Sequence, residues 1–191
     1  MARPRQFDEK EAVKKALAVF RTQGYKATSL AELTKAMGLS RSSFYETFGS
    51  KHELFLTTLA SFDKTAAIYN FVEDDSSVPA KVILAQIFAR VIVSAIEGQG
   101  GCMFGNCAVE FSKPDPQVME QVKKGMHQLE GMFLTIIKAD QENGNVDEAK
   151  DVKAIASQLV ATFYGIQTMA KAGLGLDSLK HVISQTLTQL D

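Results

Sequence analysis

Tryptophan is absent from the 191-residue chain, and proline (four), histidine (three) and cysteine (two) are scarce. Two cysteines cannot make a disulfide scaffold at this length. His52, His127 and His181 are scattered, and no Cys/His group has the spacing of metal ligands. A nucleophile elbow and a phosphate loop are also missing, so neither an enzyme nor a bound metal or cofactor is expected. His127-Gln-Leu-Glu130 resembles a reversed fragment of a di-iron helix motif, but it occurs once and reads as a surface pair. No stretch is long and apolar enough to span a bilayer, and the basic N-terminus lacks the apolar run of a secretory signal. No membrane partner is therefore expected, and the chain is expected in the cytoplasm. Nothing alternates with period two over a useful length, which predicts an all-α protein of about nine helices.

What is present is an ample apolar fraction, 46%, and an uneven distribution of charge. Residues 1–52 hold ten Lys/Arg against five Asp/Glu, a net +5, and the remainder holds 11 against 17, a net −6. A basic segment joined to an acidic one suggests a polyanion partner for the first alone.

The basic segment is dense in helix starts. Val13, Ala16, Leu17 and Phe20 recur on one face of a helix over about Asp8–Gln23, which Asp8 caps and Gly24 stops. Ser29-Leu-Ala-Glu32 is a capping box opening a second helix that ends at Met37-Gly38. A third begins at Ser40 and ends near Phe48. Ser50-Lys-His-Glu53 opens a fourth that continues to about Asn70. Further on, Asp74–Ser77, Gly98–Gly101 and Lys113–Pro116 are breaks. Helices are expected over about Pro79–Glu97, Cys102–Phe111, Pro116–Asp140, Asp147–Ala172 and Asp177–Leu190.

A short helix, a Gly-containing turn and a second short helix form the helix-turn-helix pattern. Ala31, Leu33 and Met37 are expected to pack inward, and Phe44 and Phe48 to anchor the second helix. Arg41, Ser42, Ser43 and Tyr45 then stay near its exposed N-terminal end, and these residue types bond phosphates and base edges. Lys51 in the first turn of the next helix opposes the helix dipole, a cost that makes sense if it meets a DNA phosphate. Thr28 and Ser29 occupy the same situation one helix earlier, and Arg3 and Arg5 can reach a groove or backbone from the chain start. Double-stranded DNA is the expected partner. The rival readings are an enzyme, for which no motif exists, and a protein-interaction module, which leaves the basic helix starts unused.

The run from Phe7 to Phe55 resembles the DNA-binding segment of the TetR family of transcriptional regulators. The likeness lies in Phe20, Gly24-Tyr25, Thr28-Ser29, the apolar spacing through Gly38, Ser43-Phe44-Tyr45, Phe48 and Gly49-Ser50-Lys51. It implies phosphate contacts by Tyr45 and Lys51, base contacts near Arg41 and Ser42, a homodimer as the active form, and usually repression. It also implies a division into a DNA-binding domain, 1–52, and a helical ligand-binding and dimerisation domain, 53–191.

The second part carries no comparable motif. Two apolar stripes, Ile155, Leu159, Thr162, Phe163, Ile166 and Ala170, then Val182, Ile183, Leu187 and Leu190, are expected to form the dimer face, although such stripes also suit the chain's own core. Phe and Met are abundant over the middle helices, as in adaptable apolar cavities. Cys102, Phe104, Asn106, Cys107, Phe111, Phe133 and Phe163 are the candidate residues for a small apolar, electrophilic or oxidising inducer. The Gly101-Cys102…Asn106…Glu110 segment is similar to one found in a subset of TetR-like regulators. A thiol at a helix start gains thiolate character, which makes Cys102 a candidate sensor.

Overall fold

The computed structural model describes residues 7–65, 78–97, 102–111 and 115–191. Among them are nine α-helices and a closing 3-10 turn. They fall into two compact units, one holding residues 1–65 and 103–122, the other 66–102 and 123–191. By packing, therefore, the helix that begins at Lys51 and the short Cys-containing helix belong with the N-terminal helices. That division runs elsewhere than the functional one expected at residue 52.

The first unit contains α1 (Glu9–Gln23), α2 (Leu30–Met37), α3 (Arg41–Phe48), α4 (Lys51–Thr65), α6 (Met103–Glu110) and the start of α7 (Pro116–Glu142). Side-chain caps set the helix starts. Asp8 accepts from the N–H groups of Lys10 and Glu11, Ser40 from Ser43, and Ser50 from Glu53. Ser29 and Glu32 form both halves of the expected capping box. Gly24 (φ 83°) and Gly38 (φ 69°, ψ 33°) end α1 and α2 in conformations that a Cβ disfavours. The core of this unit joins Ala12, Val13, Ala16, Leu17 and Phe20 of α1 to Leu33 and Met37, Phe44 and Phe48, and Leu54, Phe55 and Leu59. Phe20 meets Phe55 edge-on at 4.9 Å. Ala31, expected inside, is exposed. Its place on α2 is taken by Thr34, whose hydroxyl is satisfied by the carbonyls of Leu30 and Ala31.

The second unit contains α5 (Ala80–Ile96), the rest of α7, α8 (Val152–Lys171) and α9 (Leu176–Leu187), closed by a 3-10 turn at Thr188–Leu190. Phe88, Phe133 and Phe163 form an aromatic triangle with ring centres 6.3–6.4 Å apart. Pro79 precedes α5 rather than starting it, and offers no side-chain acceptor to the first N–H groups. Asp140 of α7 supplies one instead. Its buried carboxylate accepts from Ala80 N–H at 2.8 Å and from the Asn145 amide at 2.7 Å. Asp140→Ala strands the buried Ala80 N–H and is expected to cost about 1–3 kcal/mol. Thermal melts should show Tm lower by about 2–4 °C per kcal/mol. An unchanged Tm would mean that water replaces the carboxylate without loss.

α8 starts five residues later than the apolar pattern suggests, because Asp147–Lys150 closes into a turn and Asp151 is the side chain that caps Lys153 and Ala154. The expected ends of α4 near Asn70 and the breaks at 74–77, 98–101 and 113–114 lie outside the described residues.

Candidate nucleic-acid interface

At α3 the chain separates its apolar and polar residues cleanly. Phe44 is fully buried and Phe48 nearly so, their rings 5.8 Å apart on the inner face. Arg41 and Ser42 are exposed at the first turn, Ser43 is half-buried, and Tyr45 is 54% exposed. The Tyr45 ring stands edge-on to Phe44 at 5.5 Å, which fixes the direction of its hydroxyl end. The hydroxyl of Ser40 lies 2.9 Å from those of both Ser42 and Ser43. The outer end of α3 thus offers a guanidinium, a cluster of hydroxyls, a phenol and the unpaired N–H groups of a helix start. These are donors for phosphate and base-edge acceptors.

The second group expected to face DNA is at the start of α4. Lys51 holds its ammonium 4.4 Å above the ring of Tyr25. Burial pushes the Lys51 pKa below its ordinary value, while the nearby carboxylates of Glu110 and Glu32 pull it back up. Tyr25 is raised, first by burial and then by Asp115 and Glu110. Beside it, His52 Nε2 lies 2.7 Å from Asp115 Oδ2. Asp115 also caps α7, accepting from the N–H groups of Gln117 and Val118.

Those hydrogen bonds, Val118 first, hold the Asp115 carboxyl below its ordinary pKa of about 4. A depressed carboxylate stabilises the fold in full above that ordinary value, and its contribution is lost as pH falls through the depressed one. Asp115→Asn is therefore expected to lower Tm at neutral pH, with the gap to the parent closing in acid. Melting both proteins from pH 7 to pH 3 checks this. A gap that stays constant would mean that the charge is not the cause.

Ser29 is exposed at the N-cap of α2 as expected, its hydroxyl engaged with Glu32. Thr28 is not available to DNA. It is buried, and its hydroxyl donates to the Gly24 carbonyl at 2.6 Å, closing the α1–α2 connection. Arg3 and Arg5 lie outside the described residues.

The dimer candidates lie mostly in this chain's own core, and the inducer candidates are divided between the two units. Ile155, Leu159, Ile166, Ile183 and Leu187 are all buried in the core of the second unit, so the two stripes hold this chain together rather than forming an exposed face. Thr162 is half-buried, with its hydroxyl 3.5 Å from that of Thr186. Phe133 and Phe163 belong to the same core. Phe104 meets Phe62 edge-on at 5.4 Å in the first unit. Phe111, expected beside a ligand, stacks on Tyr25 at 5.3 Å. Neither Cys102 nor Cys107 is in a disulfide, and both are buried; Cys102 immediately precedes α6 and Asn106 is half-buried within it.

Tyr25, His52, Glu110 and Asp115 were not legible as parts of one site. Asp115 had a visible signal, an acceptor just before a first-turn proline, which marks an N-cap as well as a break. Among the described residues no group of three or more His, Cys, Asp or Glu is placed to hold a metal ion. Nor is any helix among them long and apolar enough to cross a membrane.

An exposed donor-rich helix after a Gly turn, backed by two buried phenylalanines, defines a helix-turn-helix DNA-binding head. Comparison with known proteins agrees. Residues 12–58 match the family model for bacterial regulatory proteins of the tetR family, and 84–185 match the tetracyclin repressor-like C-terminal domain. The chain is 30% identical to an HTH-type transcriptional regulator of Bacillus subtilis (strain 168), YezE, over the whole of both chains. It is 30% identical to the HTH-type transcriptional repressor ComR of Escherichia coli (strain K12), over 97% of this chain and 90% of that one. In fold it is similar to the TetR family regulator CifR, a cysteine mutant complexed with operator DNA. The TM-score is 0.84 at 24% identity, covering 99% of this chain and 100% of that one. The chain belongs to the TetR family of transcriptional regulators. It is a DNA-binding regulator rather than an enzyme.

Proposed function

We propose that the protein is a repressor that binds a palindromic operator as a homodimer and is released by a small apolar, electrophilic or oxidising molecule in the cytoplasm. The observation that carries the DNA part is the outer end of α3, where Arg41, Ser42 and Tyr45 face solvent over a buried Phe44. Arg41 and Ser42 meet bases, Tyr45 and Lys51 meet phosphates, and Ser43 and Ser29 line the same rim. One head makes few base contacts. Two heads set one DNA turn apart, about 34 Å or a multiple of it, give the specificity that one lacks. The repressor direction draws on the names of relatives such as ComR.

The dimer contact belongs to the outward side of α8 and α9, since their apolar stripes are already used inside. Exposed Ala161 and half-buried Gly165 on α8 allow a partner helix to approach closely. For release, Cys102 ahead of α6 is the candidate for covalent attack, with Phe104, Asn106 and Cys107 of α6 around it in sequence. If Cys102→Ser still leaves DNA on treatment with a quinone or an aldehyde, Cys102 is not the switch.

The test of the function is a gel shift with duplexes tiled across the DNA upstream of the protein's own gene. Binding that survives competitor DNA and weakens steeply with salt is expected. Equal affinity for every duplex, or none, would overturn the proposal.

A further inference from the structure

Glu110 is the last residue of α6 and closes the Cys102…Asn106…Glu110 segment. Its carboxylate is engaged with main chain. One oxygen accepts from Tyr25 N–H at 3.0 Å, and the other from Lys26 N–H at 2.5 Å. These N–H groups lie just past the end of α1, which closes at Gln23. The fit is close: a Cβ at Gly24 would stand 3.0 Å from the nearer carboxylate oxygen. Glycine at that position therefore leaves the carboxylate room to lie against bare backbone.

Two further contacts extend from the clamped residue. Phe111 stacks on the Tyr25 ring at 5.3 Å, and Phe55 lies 4.7 Å from it. The same ring carries the Lys51 ammonium at 4.4 Å. A continuous path runs from the end of α6, through the backbone of Tyr25 and its ring, to the cation at the start of α4.

We infer that Glu110 is a positioning residue for Lys51: by clamping the Tyr25 and Lys26 N–H groups it sets the aromatic platform that aims the ammonium at a DNA phosphate, and so ties operator affinity to α6. The inference rests on the reading of Lys51 as a phosphate contact. It explains why a carboxylate sits so near a DNA-facing surface, where its charge alone would repel the polyanion. Both oxygens are taken up by N–H donors, and the charge helps keep the partly buried Lys51 protonated.

Glu110→Gln keeps the side-chain length but leaves one acceptor oxygen for two donors. Operator binding by the full-length protein is to be measured across a salt series for the parent, Glu110→Gln, Lys51→Gln and the double variant. Thermal melts show whether each is folded. Glu110→Gln is expected to weaken binding roughly 10- to 100-fold and to flatten the salt dependence by about 2, one phosphate per protomer, as Lys51→Gln does. The double variant should be little weaker than either single one. Fully additive losses, or an unchanged salt slope, would overturn the inference and leave Glu110 a merely structural residue. So would a loss of folding shared by Glu110→Gln and the charge-retaining Glu110→Asp. If the parent holds no DNA, the reading of Lys51 falls and the inference with it. If the parent binds and Glu110→Gln matches it, only the inference falls.

Discussion

Phe44→Ala should cost about 3–5 kcal/mol and leave the DNA-binding head unfolded or loosely packed near physiological temperature. Phe44 is fully buried, meets Phe48 and Tyr45, and belongs to a helix of only eight residues. So short a helix is not stable alone and depends on what its inner face buries. The second unit has its own aromatic core, so its melting transition should persist while the head is lost. Heat melts followed by circular dichroism, together with a gel shift, check this. A single transition near the parent Tm, with operator binding kept, would show that Phe44 does not anchor α3.

Arg41→Ala makes the opposite case: little effect on folding and a large one on DNA. The side chain is exposed, so Tm is expected to stay within about 1 °C of the parent. A well-placed arginine contributes about 1–3 kcal/mol of discrimination at a base pair. With two heads on one operator, affinity should fall by roughly 30-fold to more than 1000-fold. The loss should be concentrated at one base pair of each half-site, so binding to altered operators separates this role from a phosphate contact. A uniform loss across all operators would assign Arg41 to the backbone, and no loss would remove it from the interface.

The head was readable from sequence because its instructions are local. Asp8, Ser29, Ser40 and Ser50 each lie within three residues of the N–H groups they cap, and Gly24 and Gly38 mark the ends. The second unit gave away its helices but not its partners. Periodicity shows that Ile155, Leu159, Ile166, Ile183 and Leu187 share faces, yet the same stripe suits a dimer surface and an internal core. Only the packing of α5 against α8 and α9 decides for the core. Thr28 was misread because a threonine beside a helix start looks like a donor for phosphate, whereas its hydroxyl closes a turn. The links from Glu110 to Tyr25 and from Asp115 to His52 span 85 and 63 residues, and no local pattern carries such a pairing.

The division of labour within α3 has an evolutionary side. Phe44 and Phe48 carry the packing, while the exposed Arg41 and Ser42 contribute little to it. With Arg41 and Ser42 as the base contacts proposed above, substitutions there would change what is read without disturbing what holds the reader together. A lineage of such proteins can drift toward new binding sites one base pair at a time, each intermediate still folding as well as its ancestor.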